Sequence, residues 1–132
     1  MTHFIGGLAL AVGLVVATGA SAQGLHAVKP LDGWVCMKLN LTAQQSLDPS
    51  IHIPVRAAPD PAAAEAGWAA ITVAVRSPIH DVNGYQEMLF PNGKHVWIAS
   101  KNIGRWSSLA DPSARCVPSL MSNGKPGFAY PH

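Results

Sequence analysis

Two cysteines, Cys36 and Cys116, are the only thiols in this chain of 132 residues. They stand 116 − 36 = 80 positions apart. A thiol can act as a nucleophile, a metal ligand or one half of a crosslink. A nucleophile needs a free thiol beside a histidine. A metal pair needs a C-x-x-C or a histidine at ligand spacing, and neither cysteine has one. A crosslink needs only an oxidising compartment, and two cysteines in an exported chain read by default as one disulfide. A Cys36–Cys116 bridge is therefore expected, contributing at most ~4.5 kcal/mol through loop entropy. Of His26, His52, His80, His95 and His132, no two stand at i+2, i+3 or i+4, so they read as surface groups. The carboxylates Asp32, Asp48, Asp60, Glu65, Asp81, Glu87 and Asp111 form no close pair, and most sit beside Pro or Gly, where Asp serves turns. There is no Gly-x-Ser-x-Gly and no glycine-rich phosphate loop. The expectation is a protein without catalytic residues, metal or cofactor.

The elements that would position these groups begin after an apolar leader. Phe4 to Ala20 carries no charge and ends in Ala20-Ser21-Ala22, the small-x-small pattern of a signal-peptidase site. Four glycines and the adjoining cleavage pattern argue against a membrane span. A cleaved secretory signal over residues 1–22 leaves 132 − 22 = 110 residues, enough for one small domain. Its formal net charge is +2, with the charges scattered, which points away from a nucleic-acid groove.

Residues 23–50 read as an amino-terminal extension: a linker, one strand over "GWVCMKL" with Val35, Met37 and Leu39 on its apolar face, and a capping box at Thr42 and Gln45. Pro54 demotes any strand around it to an edge or an irregular one. "WAAITVAVR" is the clearest strand, with Ile71, Val73 and Val75 on one face. "YQEMLF", "PNGK" and "HVWIA" follow, and Asn92-Gly93 is the strongest short hairpin signal, expected as a two-residue loop with positive φ at both positions. A meander of strands over 69–76, 85–90 and 95–99 results. "SKNIG" reads as one tight helical turn. From Ser107 the prolines 112, 118, 126 and 131 predict an irregular tail over 107–132, tethered by Cys116.

The order "IPVRAAPDP…AGWAAITVAVR…NGYQEMLFPNGKHVWIASKNIGRW" resembles bacterial SH3-like (SH3b) domains. Val55, Arg56 and Pro59 match the family's Val-Arg-x-x-Pro start, Gly84-Tyr85 its Gly-aromatic step, Asn92-Gly93 its hairpin and Trp97-Ile98 the strand after it. The resemblance covers residues 51–106, with Val96 and Ala58-Pro59 departing from the family's usual glycines. It implies an all-β fold: a small, partly open SH3-like barrel of about five strands with short helical turns. It also implies a binding module rather than an enzyme, recognising a cell-wall peptide or peptidoglycan stem. Arg56, Tyr85 and Trp106 are then the candidate ligand-binding residues, since such barrels leave a few aromatics in a surface groove. A structural subunit docking onto another envelope protein is the second reading, and a small hydrolase or metal carrier the third.

Overall fold

The computed structural model describes residues 24–132; the expected signal lies outside the described residues. The strands are β1 (Ala27–Pro30), β2 (Trp34–Leu39), β3 (Pro54–Arg56), β4 (Glu65–Trp68), β5 (Thr72–Arg76), β6 (Tyr85–Leu89), β7 (His95–Ala99), β8 (Ile103–Arg105), β9 (Val117–Met121) and β10 (Pro126–Ala129). One helical turn, α1 (Ala43–Ser46), follows β2, and a 3₁₀ turn (Ser100–Asn102) separates β7 from β8. The protein is all-β. Seven strands form an open antiparallel sheet in the order β4-β3-β7-β6-β5-β2-β8, and three form a second in the order β1-β9-β10. The two lie in an open, sandwich-like arrangement, joined by the expected Cys36–Cys116 disulfide.

Alternation along the strands sets the core. Val73 and Val75 of β5, Met88 of β6, Val96 and Ile98 of β7 and Leu39 of β2 project to one face of the large sheet, where each is at most 6% exposed. Val55 of β3 and Ile103 of β8 close the ends of that cluster. On the other face Cys36, Ala74 and Leu89 are cross-strand neighbours and also buried. The second sheet covers them, leaving between the sheets a cavity of about 90 Å³ bordered by Leu31, Ala74, Leu89, Pro118 and Phe128. Val35 and Met37 pack against the core, as their alternation predicts. The capping box also forms: Gln45 N donates to Thr42 Oγ1 at 3.1 Å, and Thr42 N to Gln45 Oε1 at 2.9 Å.

Several expectations need correction. Residues 107–132 are irregular only as far as Cys116; β9 and β10 then form a hairpin, and β1 makes the linker part of the same sheet. β2 lies between β5 and β8, so residues 23–50 belong to the body of the fold. "WAAITVAVR" is split: Trp68 ends β4, the chain turns, and β5 begins at Thr72, leaving Ile71 54% exposed instead of in the core. β3 is irregular, with a register shift between Val55 and Arg56, but it is an inner strand; β4 takes the edge. The ladder between β3 and β7 has one residue pair, Arg56 with Trp97.

The hairpin at Asn92-Gly93 forms between β6 and β7, but with a different loop. Gly93 N donates to Phe90 O at 2.8 Å and Phe90 N to Lys94 O at 2.9 Å. Only Gly93 has positive φ, at 85°. Pro91 fixes its own φ near −65° and so sets a type I turn followed by a left-handed glycine, a three-residue loop. The loop with positive φ at both central residues is at Asn83 (53°) and Gly84 (82°).

Candidate binding surface

Tyr85 opens β6 directly after that tight turn. Val82 N donates to Tyr85 O at 2.7 Å and Tyr85 N returns to Val82 O at 2.9 Å. Asp81 fixes the turn from outside: its Oδ1 accepts from Gly84 N at 2.8 Å and its Oδ2 accepts from the Ser100 hydroxyl. The Ser100 hydroxyl first, and the Gly84 N–H second, hold the Asp81 carboxyl below its usual range. Ser100 N donates to Gly84 O at 2.9 Å, tying the 3₁₀ turn to the same loop. Asn83 Nδ2 donates to Pro59 O at 3.1 Å and brings in the tip of the β3–β4 hairpin.

Three separate stretches of chain therefore meet, and an open depression of about 620 Å³ lies among them. Its lining is Asp60, Pro61, Asn83, Gly84, Tyr85, Ala99, Ser100 and Lys101. Tyr85 is half-buried, while Asp60 and Lys101 are exposed. Asp60 is held in place by Ala62 N, which donates to its Oδ1 at 2.8 Å. An aromatic ring thus sits with a carboxylate and an ammonium group, and the loops carrying them are pinned by side chain to backbone hydrogen bonds. Such a site offers stacking, one donor centre and one acceptor centre, which suits a short polar chain such as a peptide.

Of the three expected ligand residues, Tyr85 lies in this depression. Arg56 is on the face of the large sheet away from the main core, opposite Trp97, and its Nη1 donates to Ala63 O at 3.4 Å. Trp106 follows β8 and stacks on Tyr130, with ring centroids 5.8 Å apart. It does not line the depression. Asp60, Asn83, Ser100 and Lys101 were not singled out in the sequence. Asn83-Gly84 and Asp60-Pro61 carried turn signals, but nothing local to either pair says that the two turns touch.

Both thiols are consumed by the disulfide. Among the described residues no three His, Cys, Asp or Glu side chains gather as a metal site, and no helix is long and apolar enough to cross a membrane. No family model, curated protein or solved structure matches the chain.

Proposed function

We propose that the protein is an exported, non-enzymatic SH3-like module that binds a short peptide, of the kind found in cell-wall stems, in the depression around Tyr85. The observation that carries this reading is the convergence of the Asp60 turn, the Asn83-Gly84 turn and the 3₁₀ turn on one half-buried aromatic. The order of elements supports the SH3-like part: the apolar strand β5, Gly84-Tyr85 opening β6, an Asn-Gly hairpin, β7 with Trp97-Ile98, a helical turn and the closing strand β8. Two departures bear on it. β8 pairs with β2, so such a unit must take in Trp34–Leu39 as well as residues 51–106. The Val-Arg-x-x-Pro stretch enters an irregular hairpin instead of a full first strand. The disulfide fits an oxidising compartment, consistent with export through a cleaved signal to the periplasm or beyond.

The test is titration of the mature chain with free stem peptide, followed by NMR shifts. Movement of the Tyr85, Asn83 and Lys101 amides, lost in Tyr85→Ala, supports the reading; no movement at a saturating excess of peptide overturns it. A second reading, an interaction subunit of an envelope complex, has its own support in Trp68 and Ile71, which are 56% and 54% exposed near the inter-sheet cavity that Trp68 helps to line. Co-purification of one envelope protein, lost on Trp68→Ser, is the outcome that favours it.

A further inference from the structure

A transverse row of side chains crosses the large sheet beside the depression, on the face opposite the main core and two residues along from Cys36, Ala74 and Leu89, which the second sheet covers. Arg56 of β3 is opposite Trp97 of β7, Trp97 is opposite Glu87 of β6, and Arg76 of β5 is opposite Trp34 of β2. Arg76 and Glu87 complete the row, with Nη2 to Oε1 at 3.0 Å. Their strand neighbours Val55, Val96, Ile98, Met88 and Val75 all point into the core, so the row lies on the opposite face as a unit, beyond the stretch that the second sheet covers, with its five side chains half-buried. Glu65 of β4 extends it beyond Arg56. From Arg56 to Trp34 is four strand spacings, roughly 19 Å.

Three features of this row point to a ligand. Trp34 lies under the Arg76 guanidinium at 4.2 Å, Trp68 is stacked on His52 at 3.7 Å, and Trp106 is stacked on Tyr130 at 5.8 Å. Among the described residues Trp97 has no ring or cation stacked on it. Second, the groups flanking Trp97 are planar and positioned. Glu87 Oε1 is held by Arg76 and by His95 Nδ1 at 2.9 Å, while Oε2 has only the 3.4 Å contact with Arg76 Nε. Arg56 has no carboxylate partner among the described residues, and Glu65 is turned to Trp68 Nε1 at 3.0 Å. Third, the row is balanced in charge: two guanidinium groups against two carboxylates. A balanced row favours neither a polyanion nor a polycation. It presents donors and acceptors side by side around a flat apolar ring.

We propose that this face binds a neutral linear polysaccharide, with the apolar face of one sugar ring on the Trp97 indole. The Arg56 guanidinium donates to its hydroxyls on one side and Glu87 Oε2 accepts from them on the other. A hydroxyl both donates and accepts, so it satisfies both flanks without bringing a net charge onto the row. Arg76 and His95 act as positioning residues that hold Glu87.

The experiment is calorimetric titration of the mature chain with chitohexaose and cellohexaose, both neutral linear hexasaccharides. The parent is expected to bind at least one. Arg56→Met should weaken that binding about tenfold, the usual cost of a lost charge-assisted hydrogen bond. Trp97→Ala should abolish it, with folding checked by circular dichroism; if that variant does not fold, Trp97→Phe and Arg56→Met decide. Failure of the parent to bind either sugar overturns the proposal, as does undiminished binding by folded Arg56→Met and Trp97→Phe. Displacement of the sugar by poly-glutamate assigns the face to an acidic peptide and also overturns it. The probes carry no peptide, so failure here leaves the Tyr85 depression untouched, and failure at the depression leaves this face untouched.

Discussion

Glu87 receives two side chains, Arg76 and His95, on one carboxylate. The Arg76 hydrogen bond is the larger cause holding the Glu87 carboxyl below its usual value of 4.5; burial works against it and His95 adds to it. A depressed folded-state value means that the pairing stabilises above the unfolded value and that this stabilisation is lost as pH falls through the folded value. The Arg76 side chain is 41% exposed, so the pair is worth no more than ~1 kcal/mol. Glu87→Gln should therefore lower the urea midpoint at neutral pH, and the gap to the parent should close on acidification below about pH 4; a gap that stays constant down to acid would exclude this role. One strand position away, Gln86 is 8% exposed and its Oε1 has no hydrogen-bond partner among the described residues. A buried, unpaired carbonyl oxygen costs about 1–3 kcal/mol. Gln86→Met, of similar shape, should raise Tm by several degrees in a thermal melt; a fall in Tm would mean that Gln86 has a partner after all. The pattern of the strand shows that Gln86 faces inward. No sequence signal says whether its amide is satisfied.

The turns were more legible in their positions than in their conformations. Asn-Gly marks a hairpin or tight turn at residues 83, 92 and 123, and each site is one. Their loops differ: both residues of Asn83-Gly84 take positive φ, whereas at 92 and 123 only the glycine does. Pro91 sets a type I turn that leaves positive φ to Gly93 alone. Met121 to Lys125 repeats the same loop, with Gly124 N donating to Met121 O at 2.9 Å, Met121 N to Lys125 O at 2.9 Å and Gly124 at φ 78°. The sequence places Gly124 in an irregular tail, and on that basis Gly93→Val should be costly and Gly124→Val mild. The structure makes the two sites equivalent. Neither would bring an added Cβ within 4 Å of another atom, so the cost is conformational strain, about 1–3 kcal/mol at each. Both variants should melt several degrees below the parent, and a silent Gly124→Val would contradict the β9–β10 hairpin. The tail misleads because a proline breaks a ladder only where its missing N–H is needed. Pro126 is the first residue of β10. The Pro118 carbonyl accepts from Leu31 N, just past the end of β1, so its missing N–H falls where the ladder stops.

For the molecule as a whole, the disulfide joins two sheets instead of tying down a loose tail. Cys36 is in β2, on the face away from the main core and 5% exposed, and Cys116 immediately precedes β9. The large sheet has its own core in Val73, Val75, Met88, Val96 and Ile98. The small sheet has less to hold it: all four residues of β1 are exposed, all four of β10 are half-buried, and a cavity of about 90 Å³ lies where it meets the large sheet. Most of its attachment rests on β9, where Pro118, Ser119 and Met121 are buried, and on the crosslink beside it. This division was not legible in the sequence, because it depends on which face of β2 the small sheet covers. The stability of the two sheets should therefore separate when the bridge is removed. Cys36→Ala with Cys116→Ala should cost about 2–4 kcal/mol. Amide exchange should accelerate first in β1, β9 and β10, while the amides of β5, β6 and β7 stay protected. Equal acceleration in both sheets would show a single cooperative unit. No acceleration in the small sheet would show that apolar contact alone holds it.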